Sequence, residues 1–205
     1  MSSVAKIQEK RASRQETRNR LIKVGTEIMS ERGFFSTGID VVLTKAEVPR
    51  GSFYYYFESK SAFALAVVDN YSRIWESKLD RILNDKNKKP LERIVSYISE
   101  GASGLEKYSF RRGCLIGNVG HEITYLEDVF RDRILSIFAS WTDYIRDCLV
   151  EAKHSGDLPE EIDVDKISRF FWIAWEGAIL QARLERSPAP INVFRDVLVH
   201  TILKQ

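Results

Sequence analysis

A chain of 205 residues with 44% hydrophobic and 29% charged side chains can bury a core and is not a disordered tract. Net charge is only +2, so the molecule as a whole is no polycation, and two cysteines make no disulfide framework. Apolar runs such as residues 170–175 fall far short of a bilayer, and the first residues carry no apolar signal region. A cytoplasmic protein with free thiols and no membrane partner is expected.

Nearly every segment reads as helix, and the five prolines fall at joints. No stretch alternates with period two between turn signals, so the expected fold is all-α. Residues 1–13 are polar and basic and read as a frayed arm. A first helix is predicted over Ser13–Arg32, with Leu21, Ile22, Val24 and Ile28 on its apolar face and Gly33 as its stop. Thr37 with Asp40 resembles a capping box for a helix over Ile39–Ala46. A turn at Glu47-Val48-Pro49 leads into a short helix, Arg50–Phe57, and Ser59 caps a long helix reaching Asp80. Past Pro90 a helix spans Leu91–Lys107, and the glycine-bearing segment Arg111–Gly120 follows. Glu127–Lys153 is amphipathic, with Ile134, Ile137, Phe138, Trp141, Ile145 and Cys148 stepping by three and four. Gly156–Pro159 is a loop, Asp163 opens a helix to Arg186, and Ile191–Lys204 is the last helix. The middle of the helix from Asp163, residues 170–175, is apolar on every side and must be covered on every side. The final helix and the same helices of a second subunit are expected to cover it, which makes a homodimer. A central helix buried within a monomer is the alternative.

Positive charge gathers at the start. Residues 1–60 hold 11 Lys/Arg and 7 Asp/Glu, leaving 20 and 22 of the chain's 31 and 29 for the rest. That surplus coincides with two short helices joined by a tight turn, the device that sets a helix in the DNA major groove.

Gly33-Phe34, Thr37, Val41-Val42, Ala46-Glu47-Val48, Gly51-Ser52-Phe53-Tyr54-Tyr55-Tyr56-Phe57 and Lys60 make this region resemble the TetR family of one-component transcriptional regulators. The correspondence covers residues 14–65. The resemblance implies an N-terminal three-helix helix-turn-helix DNA-binding domain, residues 1–60, and a C-terminal helical effector-binding and dimerisation domain, residues 61–205. It implies a homodimeric repressor released from a double-stranded, palindromic DNA operator by a small-molecule or electrophile effector. The segment Gly113-Cys114-Leu115-Ile116-Gly117-Asn118 resembles the branch that responds to reactive electrophiles and small unsaturated acids. A transcriptional activator of the same family is the alternative.

Carried over by position, Arg50 is the base reader, because a guanidinium bonds bidentately to guanine O6 and N7. Ser52 contacts a base or a phosphate, Gly51 permits close backbone approach, and the Tyr55 ring meets a thymine methyl. Thr44, Tyr54 and Lys60 are phosphate contacts. Tyr56 joins them, although many relatives carry histidine there. Phe53 and Phe57 read as core. Arg11, Arg14, Arg18 and Arg20 are further phosphate candidates, or simply a solvated charged face.

The effector pocket is expected among the helices from residue 91 to 180. Trp141 and Trp175 are wall candidates, with Tyr97, Phe138, Tyr144 and Trp172 beside them; plain core is the competing reading for each. Cys114 is the sharper candidate, since Arg111 and Arg112 beside it would lower its pKa. Asn118 and His121 fall on the same face if the segment is helical. The bland reading of Cys114 is a small buried residue filling a gap, and Cys148, on an apolar stripe, reads as structural. Enzyme signatures fail. His121-Glu122 starts like a zinc-protease motif, but Tyr125 stands at the second histidine position. No catalytic residue, metal or cofactor is expected. A helical interaction module without DNA binding is the remaining alternative.

Overall fold

The computed structural model describes residues 3–123 and 128–203, and every regular element among them is helical. Helix α1 runs Ser3–Arg32. The frayed arm is therefore corrected to continuous helix from Ser3, since residues 3–13 contain no proline or glycine to break it. Gly33, at φ 79°, ends α1 as expected, its N–H reaching Met29 O at 3.0 Å.

Helix α2 is Ile39–Lys45. The capping box expected at its start does not form. Thr37 is buried, its hydroxyl donates back to Gly33 O at 2.6 Å, and Gly38 stands at the cap without a side-chain bond. A left-handed Glu47 (φ 54°) closes α2, with Val48 N–H on Leu43 O at 2.9 Å. The third helix is shorter than expected: a tight 3-10 turn at Arg50–Ser52 leads into α3, Phe53–Tyr56. Four residues cannot sustain a helix alone. Phe53 and Phe57 hold it, their rings 5.6 and 4.9 Å from that of Phe63 in the next helix, all three buried.

Helix α4, Lys60–Leu83, starts where Ser59 Oγ accepts from Ala62 N–H at 3.0 Å. It packs on α1 at one end and on α5 (Pro90–Lys107) and α7 (Asp128–His154) further along. The glycine-bearing segment is half helical, as α6, Leu115–Ile123. Helix α8, Val164–Glu185, is capped by Asp163 Oδ1 accepting from Lys166 N–H at 3.0 Å. Helix α9, Ala189–Asp196, continues as a wider turn over Val197–Ile202. Glu127 and Lys204, expected helix ends, and Tyr125 lie outside the described residues.

Buried side chains from Leu21 to Leu203 join in one cluster. Within it Arg93 is buried and held by Glu151 at 2.9 and 3.2 Å, by Lys88 O and by Leu83 O. Helix α8 buries Phe171, Trp172 and Trp175, but Phe170, Ile173, Leu180 and Leu184 remain exposed. The single chain thus covers α8 on one side only, and the alternative of a fully enclosed central helix falls away. Among the described residues no helix is long and apolar enough to cross a membrane.

Candidate functional site

The turn after α2 and the short α3 present a polar edge. Thr44, Arg50 and Gly51 are exposed, and a side chain added at Gly51 would meet open space. Ser52 is half-buried, its hydroxyl donating to Pro49 O at 2.7 Å. Tyr54 is 71% and Tyr55 51% exposed, so these rings do not pack the core. Tyr56 is half-buried and meets Tyr55 edge-on at 5.1 Å. Lys60 is half-buried at the start of α4, its ammonium 4.5 Å above the Phe34 ring and 3.4 Å from Phe35 O. Burial lowers its pKa, and the Glu122 carboxylate acts against that. Arg14 donates to Tyr55 O at 2.7 Å and lies 4.3 Å over its ring, while Arg18 lies 4.9 Å over Phe57. Both arginines brace this edge from α1.

A cavity of about 210 Å³ lies between α1, α4, α5, α7 and α8. That is below the ~300–1,000 Å³ of sites for drug-sized ligands. Trp141, Trp172 and Trp175 line it with Tyr97, whose ring centroid is 5.9 Å from that of Trp172 and 5.8 Å from that of Trp175. Cys114 is also in the wall, but its chemistry is the reverse of that expected. Burial first, then the Glu176 carboxylate, push its thiol well above its usual range. Arg112 does not help, being turned to Glu31 at 3.2 Å and stacked 4.1 Å over Tyr108. Glu176 lines the same cavity. Burial pushes its carboxyl up to about 7, against a hydrogen bond from Cys114. Gly117 makes room for it, since a Cβ there would collide with Glu176 Oε2. Phe138 and Tyr144 pack on the core without lining the cavity. Asn118 and His121 also lie outside its wall, His121 being exposed. Cys148 is elsewhere, its sulfur 3.2 Å from Pro90 O, and burial pushes its thiol up to about 11. Both cysteines are free.

The cavity wall is tied to the N-terminal helices through the end of α1. Gly113 N–H and Asn118 Nδ2 both donate to Ser30 O at 3.1 Å. Arg183 of α8 holds Asn118 Oδ1 at 3.2 Å, Glu31 O at 3.2 Å and Arg111 O at 3.3 Å. At the far end of α6, Glu122 Oε2 accepts from Phe35 N–H at 2.7 Å, and its carboxylate lies so close over Gly33 that no Cβ fits. Helix α6 therefore starts at the cavity and ends on the joint between α1 and α2.

Residues 21–67 match the family profile described as bacterial regulatory proteins, tetR family, and residues 90–198 match that of the tetracyclin repressor-like C-terminal domain. The chain belongs to the TetR family. It is a DNA-binding transcriptional regulator with an N-terminal helix-turn-helix domain and a C-terminal helical domain. It is 38% identical to the transcriptional regulator AcuR of Cereibacter sphaeroides, over 85% of this chain and 80% of that one. It is 31% identical to the HTH-type transcriptional repressor DhaR of Mycobacterium sp. strain GP1, over 93% and 94%. The crystal structure of regulatory protein TetR from Rhodobacter sphaeroides superposes with a TM-score of 0.83 at 38% identity, covering 86% of this chain and 93% of that one.

Three residues of this TetR chain that sequence reasoning left without a role are Glu176, Arg183 and Glu122. Glu176 had a signal: it takes an inward position, four after Trp172 and three before Ile179, where an acid has no structural reason to be. Arg183 and Glu122 had none, because their partners lie on other helices. Among the described residues no cluster of three or more His, Cys, Asp and Glu could hold a metal ion.

Proposed function

We propose that this TetR protein is a cytoplasmic, homodimeric repressor that grips a palindromic double-stranded operator and lets go when a small molecule enters the cavity. Residues 1–60 read DNA, and residues 61–205 hold the effector and the partner subunit. The observation that carries this reading is the shared α1: its N-terminal half braces the tyrosine edge through Arg14, and its last carbonyls are held by residues beside the cavity. A ligand that favours one placement of α6 and α8 over another thereby biases the reading head. The sign of regulation follows DhaR, whose name gives it as a repressor.

Arg50 reads a base, with Gly51 and Ser52 allowing close approach and Tyr55 against a thymine methyl. Thr44, Tyr54, Tyr56 and Lys60 position phosphates. Trp141, Trp175 and Cys114 contact effector, while Asn118 acts through Ser30 and Arg183. His121, exposed and off the cavity wall, carries no effector role in this reading. Burial and the Glu176 carboxylate raise the Cys114 thiol well above its usual range, which disfavours the reactive thiolate, so the effector is read here as a non-covalent ligand. Cys114→Ser should still release DNA on effector binding. An effector adduct at Cys114 would overturn that step.

Fluorescence anisotropy on the chain's own upstream DNA tests the reading edge. Arg50→Ala should weaken specific binding by about 1–3 kcal/mol and leave random DNA unchanged. Lys60→Ala should weaken all duplexes alike and reduce the salt slope by about 0.9. Equal losses on both kinds of DNA for Arg50→Ala would reject its base-reading role.

A further inference from the structure

A second concave site lies away from the aromatic cavity, where the end of α1, the joint between α5 and α6 and the end of α8 meet. It is a cleft of about 940 Å³, within the ~300–1,000 Å³ of small-ligand sites. Four arginines line it: Arg32 on α1, Arg111 in the joint, Arg183 on α8 and Arg186 just after it. Carboxylates are not scarce in this part of the chain, since residues 61–205 hold 20 Lys/Arg and 22 Asp/Glu. Arg81, Arg93, Arg112, Arg133 and Arg146 each keep a carboxylate oxygen at 2.6–3.2 Å. Among the described residues, none of the four cleft arginines has such an ion pair.

Arg183 is half-buried and bonded only to neutral oxygens, Asn118 Oδ1 and the carbonyls of Glu31 and Arg111, at 3.2–3.3 Å. Arg32, Arg111 and Arg186 are exposed, and their guanidiniums donate to no oxygen of the described residues. Two acids share the walls. Glu31 is taken by Arg112 at 3.2 Å, which leaves Glu106 alone against the four guanidiniums. Cations drawn together without counter-charge repel one another, and an anion between them relieves that repulsion. Leu180 and Leu184, on the uncovered face of α8, also line the cleft, so it borders the face proposed for the partner subunit.

We propose that this cleft is a second ligand site, which takes a diphosphate group, free or carried by a nucleotide, between the guanidiniums of Arg32, Arg111 and Arg186. Guanidinium forks match phosphate oxygens in shape as well as charge. A single phosphate brings at most about two negative charges, fewer than the arginine surplus, and two linked phosphates match it. Arg32 ends α1, while Arg111 and Arg186 belong to the C-terminal domain. The bound anion therefore clamps the end of α1 to the α5–α6 joint and to α8. Gly113 N–H, on Ser30 O at 3.1 Å, bridges the same joint. The site is independent of the aromatic cavity and of whether that cavity holds an effector.

Isothermal titration of the full chain with pyrophosphate, ADP, orthophosphate and citrate, without magnesium and at constant ionic strength, tests this. Pyrophosphate should bind with a dissociation constant below about 1 mM, at least about tenfold tighter than orthophosphate. It should also bind tighter than citrate, which carries similar charge without phosphate geometry. ADP binding as tightly as pyrophosphate, or more so, assigns the group to a nucleotide, and weaker ADP assigns it to the free anion. Arg111→Gln and Arg186→Gln, at exposed positions, should each weaken pyrophosphate about fivefold. Arg50→Ala combined with Lys60→Ala, at the edge proposed to read DNA, should leave pyrophosphate binding unchanged. Bound pyrophosphate should slow hydrogen exchange at the Gly113 amide. No binding at millimolar concentration, citrate tighter than pyrophosphate, or binding that survives both cleft substitutions and fails in the Arg50 and Lys60 variant would each overturn the site. Binding with unchanged exchange at Gly113 would overturn the clamp.

Discussion

Glu176 has a folded-state pKa of about 7, above the ordinary 4.5, so the folded chain holds that proton more tightly than the unfolded one. Its contribution to stability is fully present below about pH 4.5 and is lost as pH rises through about 7. Glu176→Gln removes this dependence. Urea unfolding at pH 8 should show the variant more stable than wild type, on the order of 3 kcal/mol, with the gain gone at pH 4.5. No gain at pH 8 would mean that the ionised carboxylate finds a partner. The same residue shows why the cysteine's chemistry was illegible in the sequence. Arg111 and Arg112 are neighbours of Cys114 along the chain, yet its thiol is raised by burial and, after that, by the Glu176 carboxylate of α8, neither of which the sequence around it announces. Phe53 and Phe57 were legible, because apolar residues beside an exposed polar edge have one place to go.

At the scale of elements, α3 stands on its phenylalanines rather than on its own hydrogen bonds. Phe53→Ala should cost about 3–5 kcal/mol of stability, read from thermal or urea unfolding. A loss under about 1 kcal/mol would show that α3 is held by other contacts. Helix α6 makes a second prediction. Glu122→Ala should speed hydrogen exchange at the Phe35 amide while amides in the middle of α7 keep their protection. Unchanged exchange at Phe35 would remove Glu122 as the tie between α6 and the reading head. Most helix starts and stops were legible, because Gly33, Ser59, Pro90 and Asp163 punctuate the chain with their own chemistry. The joint between α5 and α6 was not. Its left-handed turn falls on Ser109 and Phe110 (φ 51° and 57°), residues with no turn signature, rather than on a nearby glycine. The start of α1 was missed for a different reason: polar, basic composition suggested an arm, but no residue there opposes helix.

For the whole molecule, periodicity could say that α8 needs cover on all sides but not what supplies it. Phe171, Trp172 and Trp175 turn inward, while Ile173 is 72% and Leu184 76% exposed. An apolar strip of this kind, shared with Val193 and Val197 of the last helical segment, fits a second copy related by a two-fold axis. Ile173→Glu with Leu184→Glu should give a folded monomer, with unchanged circular dichroism and operator affinity near that for random DNA. The measurement that bears most directly on DNA reading by paired copies is sedimentation of the wild-type chain with a labelled duplex from its own upstream region. Two chains per duplex are expected, with affinity for that duplex at least about a thousandfold above random sequence. A chain that stays monomeric and binds that duplex no better than random DNA would contradict it.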